Sequence, residues 1–581
     1  MEVEHLLDEF PPVSTQLWED VIHQDLKGAD YAKKLIWQTP EGITVKPYYR
    51  QQDVANLHIV QAPGTFPYLR SARATGDWHI REEIEAAEPE EANREAKNAL
   101  AAGAEEISFV RAAVRSAPDL GMLLVNLQEA PLHFANADAA LIELLCERLS
   151  TRREPQQISA GFNPLADPEF AARIAKNTPA GLVPFTIDGE HLEGAGANAV
   201  QEIAFTLAAG IDFLAEMEAR GLEIDRAAAS IGFSFSTGAS YFFQIAKFRA
   251  FRTLWAKAVE SFGGSREAAK ARMHARTSLW NKTIYDPHVN VLRATTEAMA
   301  AVLGGADSVC VAPFDRCYKT PDEGGRRLAR NTQIMLKHEA LLAQVADPGA
   351  GSYYLETITD SIAREAWKTM QQIEAYGGYR KAQAAGKLRD ALEESRKARE
   401  KAVVSRRRVF TGTNQYANTL EKALDRIEPS RVSADYRGAE SYEQLRLRTE
   451  RHAAETGKTP RLLLAEFGDV KMRAARATFA LNFFACAGFE IEKRSFENAD
   501  EIAAAESDLV VLCSSDAEYL DAATALMTML KALGPETPVI VAGNPDSAEQ
   551  LRASGVADFI HVRSNPIEVL ARWQQRLGIK V

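Results

Sequence analysis

Cysteine is scarce in this chain. Cys146, Cys310, Cys317, Cys486 and Cys513 are the only ones in 581 residues, and no two form a CxxC pair. That excludes a disulfide scaffold and a thiolate zinc site, and it points to a reducing compartment. Cys310 and Cys317, the closest pair, are expected to be buried thiols. Long apolar runs are missing as well; none approaches the roughly 20 residues of a membrane span. The opening MEVEHLLDEF has neither a basic n-region nor an apolar h-region. A signal peptide is therefore not expected, and a cytoplasmic location is. An excess of positive charge is also absent. Lys and Arg number 68 against 80 Asp and Glu, a net charge of −12, whereas a phosphate-backbone binder carries a basic face. No GxxxxGK[ST], no GxGxxG opening a helix, no HExxH and no GxSxG occurs, so several nucleotide and hydrolase classes fall away. Neither nucleic acid nor a membrane is expected as a partner.

What is present is an ordinary globular composition, 46% hydrophobic and 25% charged, in a chain long enough for about two to four domains. Residues 1–35 read as a polar helical arm, with Trp18, Val21, Ile22 and Leu26 at helical spacing. Pro and Gly punctuate 39–70 and predict an extended segment. Glutamates crowd 81–96, which reads as an exposed helix face. Short apolar runs at 107–110, 122–127, 158–161, 182–187, 231–235 and 308–311 read as buried strands. Stretches of period 3.6 separate them, such as 198–220 with Gly221 as its stop. Repeated strand–helix units imply a parallel sheet, and their number favours a (β/α)8 TIM-type barrel. Residues 380–408 are rich in Lys and Arg and predict a charged helix plus linker. From Pro460 a second βα pattern begins, with strands at 462–465, 509–513 and 538–542 and helices at 474–488 and 517–533. It fits a flavodoxin-like, doubly wound domain, whose ligands lie at the C-terminal strand ends. The loop 466–473 is then a place for chemistry. The expected organisation is an arm (1–35), a barrel (36–378), a helical linker (379–458) and the second α/β domain (459–581).

Two places stand out from the residues alone. His191 follows a predicted strand, where barrel enzymes keep catalytic groups; a loop histidine bonded to backbone is the plainer reading. Arg272 and His274 alternate along a strand or loop, so both side chains share one face. Two donors there suit an acyl or phosphate oxygen; a rim salt bridge is the alternative.

A family resemblance is carried by the blocks TPEGITVKP (39–47), PGTFPYLR (63–70), HLEGAGA (191–197), LARNTQI (328–334), ADPGAGSY (346–353) and GTNQY (412–416). The chain resembles the cobalamin-dependent acyl-CoA mutases, and most closely the small (beta) subunits of heterodimeric methylmalonyl-CoA mutases. The resemblance covers most of the chain, thinly between 97 and 180. It implies a barrel threaded by the pantetheine arm of an acyl-CoA, then a flavodoxin-like cobalamin-binding-type domain. It implies interconversion of methylmalonyl-CoA and succinyl-CoA by radicals from adenosylcobalamin. By the same resemblance His191 keeps the place of a histidine that hydrogen-bonds the thioester carbonyl. Arg272 and His274 keep places that face CoA.

Departures cluster where the family holds its cofactor. The motif D-x-H-x-x-G, whose histidine ligates cobalt, reads Asp469-Val470-Lys471-Met472-Arg473-Ala474 here. A lysine at neutral pH is an ammonium with no free lone pair. Ala474 adds a Cβ where the family brings backbone close to the cofactor. The family's S-x-L reads Ser514-Ser515-Asp516, its GG pair reads Gly543-Asn544, and a loop lysine is Glu466. On the barrel side a tyrosine beside the adenosyl group aligns with Asp77, and the glutamine of H-x-Q-T-S-G with Arg276. The resemblance therefore implies a chain that is non-catalytic alone, holds no metal, and pairs with a large (alpha) subunit that binds adenosylcobalamin. Two other readings stay open: an active acyl-CoA mutase with an atypical cobalamin site, and an acyl-CoA-binding regulatory module.

Overall fold

A computed structural model describes residues 12–152, 155–432, 436–533 and 537–580. A short hairpin, β1 (Trp37–Gln38) and β2 (Thr44–Val45), leads into eight parallel strands. These are β3 (His79–Ile84), β4 (Glu106–Phe109), β5 (Leu132–Phe134), β6 (Ile158–Phe162), β7 (Leu182–Asp188), β8 (Ile231–Thr237), β9 (Met273–Thr277) and β10 (Ser308–Cys310). Each pairs with the next and β10 pairs back onto β3, so the sheet closes into a barrel. Five further parallel strands are β11 (Arg461–Glu466), β12 (Glu490–Ser495), β13 (Leu509–Cys513), β14 (Val539–Val541) and β15 (Asp558–Phe559). Their order, β12-β11-β13-β14-β15, is the flavodoxin-like one, with its switch point between β11 and β13.

Side-chain alternation shapes the barrel. In β8, Phe233 packs on Phe251 and Trp255 of the helix Tyr241–Ser261, both at 4.8 Å between ring centroids. Phe235 packs on Phe251 at 4.7 Å. Ser234 and Ser236, one residue out of phase, face the barrel axis. The same holds for Ser108, Ser159 and Ser308 on other strands. Barrel interiors are usually filled by bulky branched residues; here hydroxyls leave the axis hollow. Gly161 in β6 cannot be replaced without a shift, since a Cβ would lie 2.0 Å from the Ala135 carbonyl oxygen. The predicted helix over 198–220 is Ala199–Ala219. Asn198 and Gln201 cap it reciprocally, and Gly221 takes a positive φ of 76° after it.

Two sequence expectations are corrected. Residues 81–96 are not an exposed helix face: β3 runs through Ile84 and the helix Pro89–Ala101 follows. Glu83 faces the charged cavity and Glu82 pairs with Arg330 of the helix Glu323–Ile334, so a strand lies where the sequence shows no apolar run. Residues 122–127 are not a strand. Ser116 caps Asp119 N and Pro118 opens the first turn, which sets a helix over Ala117–Leu123 instead. The edge strand β12 escaped notice because its residues are almost all exposed and charged. Residues 1–11 of the leading arm lie outside the described residues. Its helix Thr15–Asp25, capped by Ser14, buries none of its residues. Cys310 and Cys317 are both buried thiols, as expected. Among the described residues no helix is long and apolar enough to cross a membrane.

The helix Glu440–Thr456 joins the two sheets by buried polar bonds. Glu443 accepts from the Ile284 amide at 2.8 Å and pairs with Arg437 at 2.5 Å. Glu450 accepts from the Tyr285 hydroxyl at 2.8 Å. On its other side Thr449 donates to the Ala487 carbonyl at 2.6 Å. Arg437 and Glu443 side chains are 1% and 0% exposed. Glu443→Ala is therefore expected to strand a buried guanidinium and cost about 3–5 kcal/mol in urea unfolding. Lys397→Ala, which breaks an exposed pair with Glu393, is expected to leave the urea midpoint unchanged.

Candidate functional site

A cavity of about 890 Å³ runs along the barrel axis. Arg73, His79, Arg272 and Asp307 line it at the N-terminal ends of the strands, and Glu83, Glu190, His191, Arg276 and Trp280 at the C-terminal ends. At its waist His133 Nδ1 lies 2.8 Å from Ser159 Oγ, and His274 Nδ1 lies 2.8 Å from Ser308 Oγ. Burial first, and the nearby Arg81 cation second, hold both imidazoles well below their ordinary 6.5. Both are neutral at pH 7 and offer one donor and one acceptor each.

The C-terminal mouth is crossed by ion pairs. Arg276 lies 3.1 Å from Glu83 and 2.5 Å from Glu190. Glu83 also meets Arg316 at 3.1 Å; Arg316 meets Glu85 at 2.6 Å, and Glu85 meets Arg431 at 2.7 Å. Burial would raise the Glu83 carboxyl, but Arg276 and Arg316 hold it below its usual range. Burial raises Glu190, with Asp188 and Glu83 adding to it against Arg276. Over this layer the predicted charged helix, Lys387–Val404, supplies a roof with the segment that follows it. The guanidiniums of Arg399 and Arg408 sit 3.9 and 5.1 Å from the Trp280 ring centroid. Arg399 also pairs with Glu193 at 2.8 Å.

The predicted site residues fall at three levels. His191 stands at the mouth, 3.6 Å from Asp188, with its side chain 59% exposed. Arg272 is at the opposite end and donates to the Ala229 carbonyl at 2.6 Å. His274 is at the waist. Arg272, His274 and Arg276 alternate along β9 and do share the cavity face. Asp77 does not stand beside the mouth. It precedes β3, so it lies at the N-terminal end of the barrel, where it pairs with Lys337 at 2.7 Å. Glu83, Glu190 and Arg316 fill the mouth instead, and sequence reasoning missed them. Glu83 belongs to the glutamate-rich stretch whose pattern predicts a helix; Glu190 and Arg316 carry no local signal. Among the described residues no group of three or more His, Cys, Asp or Glu is placed to hold a metal ion.

In the second sheet, Asp469 caps the helix Val470–Phe484 by accepting from the Met472 amide at 2.8 Å. Lys471 and Ala474 lie exposed on its first turns. Ser514 is buried at the end of β13, and Asp516 pairs with Arg476 at 3.0 Å. Glu466, at the end of β11, is buried and accepts from Ser495 Oγ at 3.2 Å.

The family model described as Methylmalonyl-CoA mutase matches residues 38–116 and 169–478. The chain belongs to the methylmalonyl-CoA mutase family. It is 37% identical to the methylmalonyl-CoA mutase small subunit of Porphyromonas gingivalis over 100% of both chains. It is 30% identical to the small subunit of Streptomyces virginiae, over 99% of this chain and 98% of that one. To the methylmalonyl-CoA mutase of Escherichia coli it is 32% identical, over 74% of this chain and 68% of that one. Mutases of this family depend on cobalamin, and the residues at the second sheet do not fit that group. The position of the cobalt ligand is an exposed lysine. Across the crevice, a Cβ at Gly543 would already lie 3.2 Å from Asp516. The Glu518 carboxylate lies between the loops after β11 and β13, in the space a cofactor tail would need.

The Asp188 carboxylate, outweighing partial burial, raises the His191 imidazole above its ordinary 6.5. Its pairing thus stabilises the fold below about pH 6.5 and fades as pH rises through the folded value. An NMR titration is expected to place the His191 midpoint above 6.5, and Asp188→Asn to lower it.

Proposed function

We propose that this chain is the non-catalytic small subunit of a two-chain methylmalonyl-CoA mutase. It pairs with and stabilises a large subunit, and that large subunit binds adenosylcobalamin and interconverts methylmalonyl-CoA and succinyl-CoA. One observation carries the reading: Arg276 stands at the barrel mouth, held between Glu83 and Glu190 at 3.1 and 2.5 Å. A reacting acyl group needs that space empty and dry, and here it is filled by charge. The misfit of the second crevice to cobalamin supports the same conclusion independently. What remains for the chain is assembly, in keeping with the printed names of its full-length relatives.

The leading arm supports a pairing role. Leu17, Trp18 and Val21 are about half exposed, on a helix that buries nothing in its own chain. Trp18 stacks on Tyr48 at 5.5 Å, which docks the helix on its own chain and leaves the apolar face of Leu17 and Val21 half exposed. Such a face is what a partner covers. Replacing Leu17, Trp18 and Val21 together by Ala is expected to weaken the subunit complex at least about tenfold by sedimentation. The isolated chain should stay folded and lose no more than about 1–2 kcal/mol, mostly from the Trp18–Tyr48 stack.

Equilibrium dialysis against adenosylcobalamin tests the central reading. The chain alone should retain none by visible absorbance, and its co-expressed complex should retain the cofactor and the mutase activity. Stoichiometric retention by the chain alone would sink the reading in favour of an active mutase with an atypical site. A second reading, an acyl-CoA-binding module, is favoured by the hollow, hydroxyl-lined axis. Titration calorimetry of the isolated chain with CoA separates the two, since a purely assembling subunit needs no CoA.

A further inference from the structure

The crevice at the switch point of the second sheet holds one of the chain's own side chains. β11 and β13 end side by side, and the loops after them, 467–469 and 514–518, form its walls. The Glu518 carboxylate lies between these loops. It accepts from Ser515 Oγ at 2.6 Å, Ser514 Oγ at 2.7 Å, the Asp469 amide at 3.1 Å and the Ser515 amide at 3.3 Å. All four donors are neutral, and they come from two separate loops. Gly468, at φ +72°, lets the backbone come close: a Cβ there would lie 2.4 Å from Glu518 Oε2. Converging hydroxyls and amides with close backbone are how proteins hold an anion from solution. The side chain is half-buried, and its carboxyl is pushed down to about 2 by the bond from Ser515, then by those from Ser514 and Asp469. The carboxylate form is therefore the one bound at neutral pH.

We propose that this crevice is a carboxylate-binding site whose resident ligand is Glu518 of the chain itself. The side chain acts as a latch: it ties the two loops together and occupies the place a ligand from solution would take. The bearing of this latch on the cofactor rests on the small-subunit reading above; the site itself rests only on the four donors. The latch closes the crevice to any ligand that needs Ser514, Ser515 and the Asp469 amide, with no change elsewhere in the sheet.

A small free carboxylate tests the site. Glu518→Ala removes the occupant and keeps all four donors. Acetate is then expected to raise the Tm of the variant by a few degrees over chloride at equal ionic strength. It should also slow hydrogen exchange at the Asp469 amide about tenfold, as a ligand that binds only the folded state does. The wild-type chain should show neither effect. Glu518→Gln, which fills the same space, should likewise gain nothing from acetate. Should Glu518→Ala be recovered only unfolded, its refolding yield in acetate against chloride reads the same quantity. No acetate-specific gain in Glu518→Ala, or an equal gain in the wild type, would overturn the proposal. Neither result depends on cobalamin retention or on subunit pairing, so the two conclusions fail separately.

Discussion

A guanidinium buried at the mouth of a barrel has to be met by carboxylates, because stranding it costs several kcal/mol. Glu83 and Glu190 meet Arg276, Arg316 meets Glu83 and Glu85, and Arg431 meets Glu85. Three cations thus stand against three anions, so the layer is balanced although each member is largely withdrawn from water. The pairing also ties together strands that are far apart in sequence, since Glu83 is on β3 and Arg276 on β9. Arg431, beyond the barrel strands, draws the linker onto the same mouth. Removing Arg276 would leave two carboxylates facing each other, which is why this residue constrains the rest.

Above that layer the linker has a definite task. Two of its basic residues reach the barrel mouth, while others such as Lys397 stay exposed. Arg399 and Arg408 cover the Trp280 ring, and Trp280 belongs to the apolar cluster that contains Leu462 and Leu464 of β11. Barrel, linker and second sheet therefore share one indole. The buried bonds of Glu443 and Glu450 to the segment 284–285 fix the same junction from the other side. A mutase needs room between barrel and cofactor domain for chemistry. Here Arg399, Arg408 and Glu443 tie that junction together.

Much of the fold was legible from sequence where the hydrophobic pattern was regular. The strands at 182–187 and 231–235, the helix over 198–220 and the second βα series follow from apolar runs and caps. Legibility failed where polar residues face a polar interior. β3 carries His79, Arg81, Glu82 and Glu83, and no window of that sequence looks like a buried strand. β12 failed for the opposite reason: it is an edge whose charges face water. In the site, the period of two puts Arg272 and His274 on one face, and both line the cavity; Arg276 joins them there. For Asp77 the motif alignment gives no position in the barrel; preceding β3, it reaches the N-terminal end.

By itself the sequence determined the class of the protein. Its alternating periods demand two α/β layers, its blocks mark the mutase family, and Lys471 rules out an imidazole at the cobalt position. Those conclusions depend on residue identity and local spacing, which are present in the chain before it folds. Only the tertiary structure decided that Glu83 and Glu190, 107 positions apart by number, close on Arg276, and that Glu518 lies between two loops. Contacts of that kind depend on how strands are staggered around a barrel and on which loops a parallel sheet brings side by side. They carry no local pattern, because the free energy that selects them is shared among groups distant in sequence.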